Sequence, residues 1–227
     1  MIKHVLLDLD QTIYDFHRAE SVALSEVLVH FGIEPTVGTV ALYSEINDRH
    51  WKALERGEIT REMVLTHRFS ELFDTLGVEA DAMEARQLYE RRLGECAFFI
   101  DGASELLEAL APEYSLYLAS NGTDSVQTRR IARGGIEKYF KGIFISQRIG
   151  YDKPSVRYFE ECFKKIDGFK KEEAVIVGDS LSSDILGGKN AGIATVWYNP
   201  CHKKAGDVKP DYEISELSEL IPLLKKM

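Results

Sequence analysis

Asp8-Leu9-Asp10-Gln11-Thr12 follows directly on the apolar run Val5-Leu6-Leu7. So continuous an apolar run reads as a central strand of a parallel sheet, covered on both faces. Its C-terminal end is where open α/β sheets bind ligands. Side chains alternate along an extended chain, so Asp8 and Asp10 can face one crevice if the strand geometry continues. Two close carboxylates repel each other unless a proton or a cation lies between them. The segment therefore calls for a metal and a reacting carboxylate, although Asp, Gln and Thr also serve as caps and turns at strand ends.

Three further segments carry the same kind of chemistry. Ser120-Asn121-Gly122 offers a hydroxyl, an amide and backbone N–H groups to an anion at a helix N-terminus, or forms a plain cap with a turn glycine. Asp152-Lys153-Pro154-Ser155 places a point charge just before a helix whose start Pro154 pre-sets; the alternative is a solvated loop lysine. In Gly178-Asp179-Ser180-Leu181-Ser182-Ser183-Asp184, one aspartate leaves a strand and a second follows near a helix start, or the pair caps a turn. Hard divalent cations such as Mg²⁺ take carboxylate oxygens together with substrate phosphate and water, and Asp8 with Asp179 can supply them. Lys153 is the charge that an acidic protein needs to hold a phosphate and quiet a carboxylate cluster.

Two stretches of different pattern must position these groups. From about Ala19 to Leu93 the periodicity is helical, with Leu24, Leu28 and Phe31 on one stripe and Leu65, Phe69, Leu72 and Leu76 on another. Thr60 and Glu62 read as an N-cap and first-turn acid, and Gly77 as a stop. From about Gly102 onward strands and helices alternate. The predicted strands are Ser115–Ala119, Gly142–Ile145, Ala174–Val177 and Ala194–Trp197, with helices near Thr123–Arg133, Ser155–Ile166 and Ser182–Ala191. That alternation means βαβ units and a parallel sheet, to which the first strand must also belong. The expected fold is α/β, a Rossmann-like doubly wound parallel sheet over 1–15 and 100–227, with an all-helical unit over 16–99 inserted after the first strand.

The composition bounds the partners. The chain has 227 residues, 44% hydrophobic and 29% charged, which is ordinary globular usage with ample material for a core. A formal charge of −9 argues against a nucleic-acid or anionic-membrane surface, and it requires that a site for an anion supply its own cation. Cys96, Cys162 and Cys201 are odd in number and widely spaced, as reduced thiols would be. Asp8 and Asp10 interrupt the first apolar stretch, unlike a signal peptide, and no run is long enough to span a bilayer. A soluble, cytoplasmic protein is expected.

In the order and spacing of these four segments the chain resembles the haloacid dehalogenase superfamily. Asp8-x-Asp10-x-Thr12 matches its first motif, Ser120-Asn121-Gly122 the second, Lys153 the third, and Gly178-Asp179 with Asp184 the fourth. The inserted unit resembles that superfamily's helical cap. Ser183-Asp184-Ile185-Leu186-Gly187-Gly188, Asn190-Ala191-Gly192 and Trp197-Tyr198-Asn199, with Asn47, Trp51, Gly57 and Ile59, are similar to bacterial pyrimidine 5′-nucleotidases. Gln11 stands where relatives more often carry Glu, Gly or Asn. Asp101 stands where many have proline, which implies a looser hinge between cap and core.

The resemblance implies a phosphomonoester hydrolase for a small-molecule substrate, with Asp8 as nucleophile and Asp10 as general acid and base. It implies Mg²⁺ held by Asp8, Asp179 and the Asp10 carbonyl, with Asp184 steadying that shell. Ser120, Asn121 and Lys153 would bind the phosphoryl group. Phe16, His17, Trp51 and Arg56 are candidates for the leaving-group side, while Asn47 and Trp51, four apart, could equally be cap packing. The presence of Asp10 disfavours a haloacid dehalogenase. A sugar-phosphate or phosphoglycolate phosphatase, a phosphomutase, or a non-catalytic phosphate-binding signalling module remain as alternatives.

Overall fold

The structure is a computed structural model and describes residues 1–227. Six parallel strands form one sheet in the order β3-β2-β1-β4-β5-β6. They are β1 (His4–Leu7), β2 (Ser115–Ser120), β3 (Phe140–Ile145), β4 (Ala174–Gly178), β5 (Ala194–Tyr198) and β6 (Tyr212–Ile214). Five of the six lie where the apolar runs predict them, with ends shifted by one or two residues. The sixth was not anticipated: it is three residues long with two of them exposed, too short and too wet to give an apolar run.

Continuous apolar runs arise here because both faces of the sheet are covered. Val5 and Leu7 of β1, Leu116 and Leu118 of β2, and Val175 and Val177 of β4 enter one core. That core is closed by α5 (Ala103–Leu110), α10 (Leu220–Leu224) and Ile131 of α6 (Asp124–Gly134). The alternate residues Leu6, Tyr117, Ala119, Ala174 and Ile176 enter a second core under α8 (Val156–Phe163) and α9 (Leu186–Ala191). Each fully buried Val or Leu contributes on the order of 1.5–3 kcal/mol, so a one-residue slip of β1 would empty both cores of the residues that fit them.

Between β1 and α5 the chain makes four helices and no strand: α1 (Phe16–His30), α2 (Val37–Glu55), α3 (Arg61–Leu76) and α4 (Ala82–Leu93). They pack on one another around a separate core that includes Leu24, Leu28, Leu65, Phe69 and Leu72. Thr60 caps α3 by accepting from the Met63 N–H, and Gly77 ends it at a φ of 67°, as its place in the pattern predicts. Val126 of α6 joins this core, so α6 presents a face to the helical insert. No helix is long and apolar enough to cross a membrane.

Candidate active site

The strand register brings the four chemical segments to the C-terminal end of the sheet. Leu7 of β1 stands opposite Leu118 and Val177, so the three strands end within two residues of one level. Asp8 and Asp179 follow immediately, and Ser120 closes β2. The Asp8 N–H still donates to the Val177 carbonyl at 2.9 Å, so Asp8 is fixed by the sheet although it lies one residue past it. In this strand order the chain turns from one side of β1 to the other at this point, the crevice where open α/β sheets bind.

Lys153 is not a solvated loop lysine. It is 1% exposed, and Nζ donates at 2.6 Å to each of Asp8 Oδ1, Asp184 Oδ1 and the Ala119 carbonyl. All three ammonium N–H groups are thereby used. Its backbone is held by Asn121, whose Oδ1 accepts from the Lys153 N–H (2.9 Å) and whose Nδ2 donates to the Lys153 carbonyl (2.8 Å). The amide of Asn121, expected at the phosphate, is engaged by this lysine. These bonds also correct the reading of Pro154: the Lys153 backbone answers to Asn121 and the helix begins two residues later, at Val156 after the N-cap Ser155.

Asp184 reaches the site through a local irregularity. The predicted helix near Ser182–Ala191 opens as a π-helical turn, Leu181–Ile185, before α9. Such turns change which side chains face inward and recur at functional sites. Asp184 Oδ2 accepts from the Ser180 N–H at 3.1 Å, and its carboxyl folds back over Gly178, where a Cβ would collide with it. The glycine before Asp179 is thus needed for the approach of a side chain six residues on.

The cluster is short of positive charge. Ligand oxygens of Asp8, Asp179 and Asp184 lie within 4.8 Å of one another, facing the single ammonium of Lys153. Burial, with the neighbouring carboxylates Asp184 and Asp179, drives the Asp8 carboxyl well above its ordinary range against the pull of Lys153. Burial and then Asp184 push Asp179 up to about 7. Both oxygens of Asp184 are occupied, whereas Asp8 Oδ2 and the carboxylate of Asp179 accept no hydrogen bond from the protein. Unclaimed hard oxygens beside an excess of negative charge fit a divalent cation such as Mg²⁺.

Asp10 is placed differently. It stands three residues beyond β1, 28% exposed in its side chain, with its oxygens held by Gln127 and Arg130 of α6. Neither residue was anticipated. The available signal was two polar side chains three apart beside Val126 and Ile131, on a helix face that must turn inward.

A cavity of about 460 Å³ opens from these groups toward the insert. On the insert side Phe16, His17 and Trp51 line it, as expected; Arg56 does not, being exposed and paired with Glu58. Beneath Trp51 lies a polar network the sequence did not disclose. Asn47 Oδ1 accepts from Trp51 Nε1 (3.1 Å) and Arg68 Nη1 (2.7 Å), and Asn47 Nδ2 donates to Glu20 Oε1 (2.9 Å). Ser44 Oγ donates to Glu20 Oε2 at 2.5 Å. Polar contacts near the cavity also tie the insert to the sheet side. Ser182 donates to Glu55, and Arg61 reaches the Gly122 carbonyl, Ser146 and Asp152.

Comparisons with known proteins bear on the family and the fold. Residues 5–198 match the model of the haloacid dehalogenase-like hydrolase family. The pyrimidine 5′-nucleotidase PynA of Streptococcus pneumoniae is 38% identical over 226 residues, covering 99% of this chain and 95% of that one. The HAD-hydrolase YfnB of Bacillus subtilis is 40% identical over 97% of this chain and 94% of its own. Its crystal structure, bound to magnesium and revealing interdomain movement, superposes with a TM-score of 0.94 over 98% of both chains. An L-2-haloacid dehalogenase of Xanthobacter autotrophicus shares the fold at a TM-score of 0.79 and 18% identity, covering 100% of both chains. With four motifs gathered at the C-terminal end of the sheet and a family match across most of its length, the chain belongs to the haloacid dehalogenase-like hydrolases and, among them, resembles bacterial pyrimidine 5′-nucleotidases.

Proposed function

We propose that this enzyme is a Mg²⁺-dependent 5′-nucleotidase for pyrimidine nucleoside monophosphates, acting through an aspartyl-phosphate on Asp8. The observation that carries the reading is the buried Asp8–Lys153–Asp184 array at the mouth of a cavity whose far wall offers Trp51 and the Asn47 network. The 38% identity to a named pyrimidine 5′-nucleotidase supports the substrate class.

Asp8, fixed by the Val177 carbonyl and Lys153, presents a carboxylate oxygen to phosphorus. The bond from Asp8 to phosphorus forms as the ester P–O bond breaks, and Asp10 gives its proton to the leaving oxygen. Asp10, now a carboxylate, takes a proton from the water that attacks the aspartyl-phosphate, which restores Asp8 and releases phosphate. Ser120 and the Lys153 cation stand beside the phosphoryl oxygens, and Asn121 positions Lys153. Asp8, Asp179 and the Asp10 carbonyl would hold Mg²⁺, with Asp184 steadying them; when bound, the ion supplies the positive charge that the cluster lacks. The helical insert, read as a cap over 16–99 on a core of 1–15 and 100–227, covers the leaving group and limits water.

The experiment is phosphate release across nucleoside monophosphates, sugar phosphates and phosphoglycolate, with Mg²⁺ and with EDTA. A preference for UMP, dUMP or dTMP, abolished by chelation and restored by Mg²⁺, is the expected result. A flat or sugar-phosphate profile overturns the substrate class, and full activity in EDTA overturns the metal requirement.

A further inference from the structure

Asp8 and Asp10 are two residues apart, yet the fold secures them by different means. Asp8 is held by the sheet and by Lys153. β1 ends at Leu7, and nothing in its ladder fixes the carboxylate of Asp10. Gln127 Nε2 donates to Asp10 Oδ2 at 2.7 Å, and Arg130 Nη1 donates to Asp10 Oδ1 at 2.5 Å. Each oxygen has its own donor, which defines the plane of the carboxyl as well as its place.

The two donors are themselves braced. Arg130 Nη1 donates to Gln127 Oε1 at 2.9 Å, and Arg130 Nε donates to the Cys96 carbonyl at 2.9 Å. Gln127 Nε2 is shared with Ser120 Oγ at 2.9 Å, linking the Asp10 grip to the end of β2. Arg130 is fully buried, its guanidinium 5.3 Å from the centre of the Tyr14 ring and 6.0 Å from that of Phe16. Gly122 belongs to the same device, since a Cβ there would collide with the Gln127 side chain. Arg130 Nη2 has no hydrogen-bond partner, so the buried cation is incompletely satisfied by the fold around it.

We propose that Gln127 and Arg130 are positioning residues for the acid–base step: they aim the Asp10 carboxyl at the leaving oxygen. The proposal rests on the reading of Asp10 as general acid. As the Asp8–phosphorus bond forms and the ester bond breaks, the proton of the Asp10 carboxyl passes to the departing oxygen, leaving Asp10 as the carboxylate the two donors grip. An alkoxide departs slowly without that proton, whereas a nitrophenolate departs readily. A misaimed acid therefore harms the two esters unequally, while a loosened fold harms them alike.

The test is kcat/KM, which reports the steps through phosphoryl transfer, for UMP and for p-nitrophenyl phosphate. The variants are Arg130→Met, Arg130→Lys and Gln127→Leu, with Asp10→Asn as reference. Asp10→Asn is expected to lose on the order of 10²-fold or more on UMP and far less on the aryl ester. Arg130→Met is expected to lose about 50-fold on UMP and under about 5-fold on p-nitrophenyl phosphate, with Lys recovering part of the loss because it keeps the charge without the fork. Gln127→Leu is expected to lose roughly 10-fold selectively, and it decides the matter if Arg130→Met does not fold. Equal losses on both esters, or no loss, while Asp10→Asn keeps its selectivity overturn the positioning role alone. An unselective Asp10→Asn overturns the acid role and the proposal with it.

Discussion

Two buried polar clusters face the same cavity, and they are balanced differently. On the sheet side, Asp8, Asp179 and Asp184 share one ammonium, and burial raises the carboxyls of Asp8 and Asp179. On the insert side, Glu20 is matched by Arg68 through Asn47, with Ser44 completing its hydrogen bonds. A cluster with surplus negative charge is unfinished without a cation. A cluster that carries its own counter-charge needs none, and can instead present oriented hydrogen-bonding groups and aromatic faces. Under the proposed function the contrast divides the labour: phosphoryl transfer at the C-terminal ends of the strands, recognition at the insert.

The largest test of that division is Asp8→Asn. The variant keeps the shape of the side chain and removes both the proposed nucleophile and one charge from the crowded cluster. Turnover should fall by on the order of 10³-fold or more on every ester, whatever its leaving group. Because a ligand that binds only the folded state raises its stability, the rise in Tm on adding Mg²⁺ should shrink in the same variant. Near wild-type rates would break the assignment of chemistry to this side.

Trp51→Ala probes the other side. The indole lines the cavity, donates to Asn47 and lies under the Arg61 guanidinium, whose centre is 5.4 Å from the ring. Loss of one stacking face, worth about 1–3 kcal/mol for a base, should raise KM for pyrimidine monophosphates by roughly 10-fold. Turnover of p-nitrophenyl phosphate should change less than about 3-fold, since its small ring depends little on that wall. Equal losses on both substrates would assign Trp51 to packing.

The sheet side was far more legible in the sequence than the insert side, for a physical reason. Asp8, Ser120, Lys153 and Asp179 sit within a residue or two of apolar strands or of a turn, so the backbone announces them. Asp184 was legible by position, but the π-helical turn that delivers it was not, because one extra residue in a turn leaves no compositional trace. Glu20, Asn47 and Arg68 come from three different helices, and no local period reports that they meet. Arg61 was likewise hidden: its position one residue after the N-cap of α3 is ordinary, and only the docking of the insert brings it to Asp152. β6 was lost because its edge position leaves two of three residues wet.

The smallest effect separates the clusters by pH. Burial raises the Glu20 carboxyl above its ordinary value of 4.5, against the opposing pull of Ser44, Arg68 and Asn47. An acid raised on folding contributes stability that is full below its unfolded pKa and is lost as pH climbs through its folded one. Glu20→Gln cannot ionise, yet it keeps an oxygen for the Asn47 amide. Its Tm relative to wild type should therefore rise between pH 4 and pH 8, by on the order of 2–4 °C for each kcal/mol removed from the wild-type cost. A difference that stays flat with pH would mean that Glu20 ionises inside the fold at no cost. Saturating Mg²⁺ should leave the slope of that difference unchanged, because the insert holds its own counter-charge. A slope altered by the ion would mean that the two clusters act as one.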